Sequence, residues 1–256
     1  MAIFFIFACL MLPKSITLAW NRIYFSYKSL SQFTMITLVG IGHVFDLRKE
    51  IEKIIASEEP DLVCVELDKE RYDSLLAEHG EGKLRGVPLP YIFLARFQRR
   101  IAKLYGVSVG SEMLTAIKVA RERGIRVELI DVNVREMFTR LWKSLSFKEK
   151  LKLFVTSLVS LFVGKKHVER ELKRFQENEE NFLKEVARDF PVMKRAVVDE
   201  RNEYMARKLK ELSRKHEKIV AIVGDGHVMG IEDLLRKEGL EVKVIRLREL
   251  IDFRDP

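Results

Sequence analysis

The sequence predicts an α/β fold: a central, mainly parallel sheet built from two βαβ units at the chain ends, with a long helical insertion between them. Three observations predict it. Short apolar runs at 36–39, 62–66, 126–130, 218–223 and 242–246 have the length and β-branched content of buried strands. Amphipathic stretches at helical spacing lie between them. One short pattern also occurs twice, as Val39-Gly40-Ile41-Gly42-His43-Val44 and as Val223-Gly224-Asp225-Gly226-His227-Val228. Each copy follows a strand run and leads into a helical pattern, so each should end a strand, turn on glycine and present a histidine at the carboxyl edge of the sheet, where open α/β sheets bind ligands.

Residues 1–34 do not read as the start of this fold. Their apolar run from Ile3 to Leu12 is too short to span a bilayer, and no basic cluster precedes it as in a secretory leader. Met35 stands directly before the first strand, so 1–34 is expected to be a leader or a mis-assigned start, the rival being a weak membrane anchor helped by Trp20, Tyr24, Phe25 and Tyr27. The domain proper is expected over 35–256.

Within it, the first strand is followed by a helix from Leu47 to Ser57, a break at Pro60-Asp61 and a second strand ending in Val65-Glu66-Leu67-Asp68. Right-handed crossovers make parallel neighbours the default for these two strands, which would set Glu66 beside His43. A helix from Lys69 to Ala77 follows, then the turn His79-Gly80-Glu81-Gly82 with a solvent-facing histidine, and a basic helix from Tyr91 to Leu104. Ser111 is expected to cap the next helix, with Glu112 in its first turn where the helix dipole favours a carboxylate. That helix stops at Gly124, and the third strand ends at Asp131.

The insertion, about 134–217, is expected to be almost wholly helical. Its apolar stretch from Leu151 to Val163 is too short to span a membrane; a core helix, a partner-packing helix and an interfacial segment are all compatible with it. The charged stretch from Lys166 to Asp189 reads as a solvated amphipathic helix that ends at Phe190-Pro191. The second βαβ unit then closes the chain, its helix running from Met229 to Lys237 and stopping at Gly239.

Composition narrows the function classes. The net charge of +8 is spread over helices of mixed sign, with no concentrated stripe of the kind that reads nucleic acid specifically. The nearest candidate is Arg96, Arg99, Arg100 and Lys103, which could equally lie on anionic lipid, so membrane-surface association stays an expectation. The two cysteines, Cys9 and Cys64, both sit in apolar runs, which suits a reducing, cytoplasmic setting rather than a disulfide. Few Asn and Gln beside abundant Glu, Lys and Arg lean towards a thermophilic source.

Two histidines at strand tips suit metal ligation or proton transfer. The Gly-x-x-Gly-x-x-Gly fingerprint, a Walker lysine and a Gly-x-Ser-x-Gly elbow are all absent, so dinucleotide, P-loop and serine-hydrolase chemistry are not indicated. His43, His227 and Glu66 would form a two-histidine, one-carboxylate set that leaves a coordination position for water on a divalent ion (Mn, Co or Zn). Glu66 could be ligand or general base, with Glu112 and Asp131 as the next candidates for either role. Arg71 or Arg201 could steady an anionic intermediate. Gly40, Gly42, Gly224, Gly226 and Tyr204 are expected on the substrate side.

Six ordered motifs carry a resemblance: Gly40-Ile41-Gly42-His43, Val65-Glu66-Leu67-Asp68, Gly110-Ser111-Glu112-Met113, Leu129-Ile130-Asp131, Glu200-Arg201-Asn202-Glu203-Tyr204-Met205-Ala206 and Gly224-Asp225-Gly226-His227-Val228. In this order they resemble the TraB/PrgY (pheromone-shutdown) family over about 35–248. The resemblance implies an α/β fold like that of the erythromycin-esterase and ChaN proteins. It also implies kinship with the Tiki proteins, metal-dependent peptidases whose paired Gly-x-x-His turns and glutamate would correspond here to His43, His227 and Glu66. Many such proteins continue into C-terminal membrane helices, whereas this sequence ends in a charged tail. The expected function is metal-dependent hydrolysis of a peptide, the alternative a peptide-sequestering protein without catalysis; haem binding, as in ChaN, ranks below both. A homodimer is compatible with the sequence.

Overall fold

The structure is a computed structural model that describes residues 34–42, 47–77, 110–160 and 187–252, with positions 170, 184 and 185. Residues 1–33 of the leader, His43, the basic helix with Arg96 to Lys103, His79 and most of 161–183 lie outside the described residues.

Five strands form one parallel sheet: β1 (Met35–Ile41), β2 (Leu62–Val65), β3 (Arg126–Leu129), β4 (Lys218–Gly224) and β5 (Glu241–Ile245), in the order β3-β2-β4-β1-β5. Each strand sends alternate side chains to opposite faces. Val39, Ile41, Val63, Val65, Val220 and Ile222 face one way, into a core shared with α1 (Arg48–Glu58) and α3 (Ser111–Glu122). Ile36, Leu38, Leu62, Cys64, Ala221 and Val223 face the other way, towards α7 (Glu200–Ser213) and α8 (Asp225–Lys237). Helices on both faces explain why the strands read as continuous apolar runs.

The sheet is as expected in class, but its order corrects one inference. β1 and β2 are not neighbours: β4 lies between them, pairing Ile41 with Gly224 on one side and Val65 with Ile222 on the other. Adjacency of consecutive strands is a tendency, and here a strand from the far end of the chain takes the central place. Glu66 therefore stands beside β4 rather than β1, its N–H donating to the Ile222 carbonyl at 3.0 Å.

Local ends differ too. β1 continues through Gly40 to Ile41, so the first glycine is strand, not turn. A side chain there would collide with the Asp225 carboxylate and Val228, which cross close to the strand. After β4 no loop intervenes: α8 begins at Asp225, and His227 lies in its first turn rather than on a strand tip. The residue before α3 is Gly110 at φ 83°, so Ser111 opens the helix instead of capping it. Gly124 and Gly239 do end their helices in the left-handed region, at φ 69° and 78°.

Between β3 and β4 the described part of the insertion comprises α4 (Val134–Ser144), α5 (Phe147–Ser160), the short α6 (Pro191–Lys194) and a π-helical turn (Arg195–Asp199) that runs straight into α7. Val134, Met137, Phe138 and Leu141 of α4 form a third cluster with Ala196 of the π turn, Met193 and Val197 packing against it. On α5, Phe147, Leu151 and Val155 recur every four residues with their side chains exposed, Phe147 at 80%. No helix among the described residues is long and apolar enough to cross a membrane.

Candidate functional site

α1 leaves β1 towards one face of the sheet and α8 leaves β4 towards the other. The carboxyl ends of β1 and β4 thus flank a topological switch point, the place where such sheets open a crevice. Polar side chains buried at this edge come from β2, β3, α7 and α8.

Glu66 follows Val65 and has the parity of Leu62 and Cys64, so it points to the α7/α8 face. It is 4% exposed. Its Oε2 accepts the Gly224 N–H at 2.6 Å, and Oε1 pairs with Nη2 of Arg201. Asp131, just beyond β3, accepts from Arg201 twice, Nε to Oδ1 at 3.0 Å and Nη2 to Oδ2 at 2.6 Å. Arg71 Nη1 also donates to Asp131 Oδ2, at 2.8 Å, and the Val132 N–H donates to Oδ1 at 2.8 Å. Arg201 completes its set against His227, with Nη1 3.0 Å from Nε2. Two carboxylates and two guanidiniums thus make a network that balances in charge.

His227 is fixed from its other side. Its Nδ1 lies 2.7 Å from Oδ1 of Asn202, which can only accept, so Nδ1 carries the proton and Nε2 presents its lone pair to Arg201. Burial lowers the imidazole pKa, Glu66 opposes that, and the positive Arg201 adds to the lowering, so the ring is held neutral. For Glu66, burial alone would raise the pKa; His227 where protonated, Arg201, Arg71 and the Gly224 N–H outweigh it and keep the carboxylate well below its usual range. Arg201 feels burial in the lowering direction, but Glu66 and Asp131 overcome it and secure its charge.

Caps hold the parts in place. Asp68 caps α2 (Lys69–Leu76) by accepting the Arg71 N–H at 3.0 Å, and its other oxygen accepts from the Val134 N–H at 3.4 Å, tying the start of α2 to the start of α4. The π turn widens the helix immediately before α7 begins; such turns frequently sit at functional sites. Arg201 Nη1 donates back to the Val197 carbonyl of that turn at 3.4 Å. Asp225 holds α8 to the end of β5, pairing with Arg246 at 2.9 and 2.8 Å and accepting the Leu247 N–H at 2.9 Å.

Of the residues the sequence singles out, Glu66, Arg71, Asp131, Arg201, His227 and Gly224 come together. Gly40 packs against Asp225, Gly42 directly follows β1, and Gly226 lies in the first turn of α8. Tyr204 is half-buried on α7 with the Arg207 guanidinium 5.5 Å from its ring centre. Glu112 is fully buried, and neither carboxylate oxygen has a hydrogen-bond partner among the described residues, so it stands outside the network. Asn202 and Asp68 stand in two of the motifs, and their site-building roles emerge only from the structure. The signal for Asn202 was its place directly after Arg201, on a helix whose buried face also presents Met205 and Leu209.

Among the described residues no group of three His, Cys, Asp or Glu side chains is gathered as for a metal. Two donors nevertheless fit one in chemical state: a neutral imidazole with its second nitrogen anchored, as metal-ligating histidines have, and an ionised carboxylate. Nε2 of His227 and Oε1 of Glu66 are 3.7 Å apart, a separation that two ligands at about 2.0–2.2 Å from one ion can span. Both donors are now engaged by Arg201.

The profile of the TraB/PrgY/gumN family matches residues 29–244. An uncharacterised protein of Methanocaldococcus jannaschii is 36% identical over 212 residues, covering 79% of this chain and 53% of that one. TraB domain-containing proteins of Bos taurus and Homo sapiens are 29% and 27% identical over 231 residues, 76% of this chain and 61% of each relative. The chain spans between half and two thirds of the length of these relatives.

Proposed function

This chain belongs to the TraB/PrgY/gumN family, and on that premise we propose that it is a metal-dependent hydrolase acting on a peptide. The observation that carries the reading is the state of His227: neutral, its Nδ1–H bound to Asn202, its Nε2 lone pair presented to Arg201 and 3.7 Å from Glu66 Oε1 at the sheet's switch point. His227, Glu66 and His43 would hold the ion, which when bound would lower the pKa of a water and polarise the scissile carbonyl. The chain's own groups do the rest. Arg201 and Arg71, braced by Asp131, supply fixed positive charge for an oxyanion. Asn202 keeps the imidazole in one tautomer, and the Gly224 N–H holds Glu66 in one orientation.

One observation favours a second reading. Arg201 saturates the two donors by itself, and a pocket kept in that state would capture a peptide without cutting it. Metal analysis of the purified protein, with turnover of a peptide library by wild type, His227→Ala and His43→Ala, tests the proposal. The expected result is one ion per chain and cleavage, both lost in each variant. Metal-free protein that binds peptides and returns them intact would decide for capture.

A further inference from the structure

The place that two metal donors would share holds a cation that belongs to the chain. We propose that Arg201 competes with the metal for this site: its guanidinium and a divalent ion hold Glu66 and His227 in turn, and the ion enters only as the guanidinium withdraws onto Asp131. The proposal rests on the metal reading above and concerns how that same site is regulated.

Three features of the geometry support it. First, the donors coincide. Nη1 lies 3.0 Å from His227 Nε2, and Nη2 pairs with Glu66 Oε1, so the same lone pairs serve either cation. Second, the charges oppose both cations on the same donors. Glu66 and Asp131 are matched by Arg201 and Arg71, and adding two positive charges to a buried, balanced cluster sets like charges side by side. Third, the guanidinium has somewhere to go. Its Nε, bonded to Asp131 Oδ1 at 3.0 Å, engages neither Glu66 nor His227, and Nη2, which Glu66 shares with Asp131 Oδ2 at 2.6 Å, can swing to Asp131 alone. Arg71, with 29% of its side chain exposed, can give up Asp131 Oδ2 to water as Arg201 closes on it. Arg201 also leaves the chain two residues after the π turn, whose Val197 carbonyl is its fourth partner.

The competition gives the site two forms. In one, the chain's own cation neutralises the buried acid and the site needs no metal to be stable. In the other, the ion takes its place and the guanidinium stands beside it, on Asp131, where it can meet an anionic group of a bound peptide.

Calorimetric titration of the metal-stripped full chain with Mn²⁺, Co²⁺ and Zn²⁺ tests this, using wild type, Arg201→Gln, Arg201→Lys and Arg71→Gln. Arg71→Gln removes one unit of charge from the same cluster without freeing Glu66 or His227, so it measures the electrostatic part. Arg201→Gln should bind the ion about tenfold or more tighter than wild type, and clearly tighter than Arg71→Gln, because the lost bonds are charge-assisted. Arg201→Lys, whose single ammonium cannot fork across Glu66, Asp131 and His227, should also gain, and it carries the test if the glutamine variant lacks a native near-UV spectrum. Equal gains in Arg201→Gln and Arg71→Gln, or none in either Arg201 variant, would overturn the competition while leaving the metal reading in place. Absence of binding in all four chains would remove the metal reading and the competition together.

Discussion

His227 meets two opposite demands: it is buried as deeply as a core residue, yet one nitrogen must stay ready to accept. The protein meets both by keeping the ring neutral, which makes stability depend on pH in a calculable direction. The folded pKa is depressed, so above the ordinary value of 6.5 the ring is neutral folded or unfolded and nothing changes. As pH falls below that, the unfolded chain takes up a proton that the folded chain refuses, and stability declines until the folded pKa is passed, by at most about 1.4 kcal/mol per pH unit for one group. Glu66 acts in the same sense at lower pH, starting near its ordinary 4.5, because its folded pKa is also depressed. Urea unfolding of wild type and His227→Gln between pH 7 and 5 should therefore show the steeper loss in wild type; parallel curves would mean that the imidazole is not held neutral. At this scale the sequence was partly legible. His227, Glu66, Arg201 and Asn202 all stand in motifs, but the Asn202 amide lies on a different helix from His227 and becomes its partner only when α7 packs on α8. Gly230 shows the same limit. In a helix it reads as a weak point, yet a side chain there would run into the Asn202 amide.

Elements place these residues by where they stop. Because α8 follows β4 without a loop, Asp225 falls at the helix start, turned towards β1 and the exit of β5. Its carboxylate accepts two bonds from Arg246 and one from the Leu247 N–H, so one side chain fastens α8 to α9 (Leu247–Asp252) as well as to β5. Asp225→Ala should cost about 2–3 kcal/mol in chemical unfolding, towards the low end for a broken buried ion pair because Arg246 keeps some access to water. An effect within 0.5 kcal/mol would show the staple to be ornamental. Periodicity located the strand and the helix here within a few residues. It could not show that they abut, since Gly-Asp-Gly reads as a turn until the backbone is seen to pass straight into helix. The π turn escaped for a related reason: one extra residue in a helical run leaves no mark in composition, although its consequence, Arg201 aimed into the site, stood in a motif.

The order of the whole sheet decides when the site can exist. β1 is paired only by β4 and β5, which come from the far end of the chain, and β2 meets β3 first but gains β4 only after the insertion. The two βαβ units announced a parallel sheet. They did not announce the interleaving, because nothing local records that a strand near residue 220 will divide two strands near residues 38 and 64. That interleaving brings Gly224 against Glu66 and His227 between the two earlier strand ends. It also makes the first strand dependent on the last two. A chain ending after Ser213 keeps every residue of β1, β2 and β3 but leaves β1 with no strand partner and one edge of β2 bare, two apolar strands with their hydrogen bonds unmade. Such a chain should show no cooperative unfolding transition and no slow-exchanging amides at 36–39. In the full chain, the amides of 36–39 and 219–223 should exchange together, at the free energy of global unfolding, because neither strand can open while its neighbour stays paired. Protection of β1 in the shortened chain would mean that the N-terminal unit folds alone, and the site would then be assembled by docking of two preformed halves instead of by completion of one sheet.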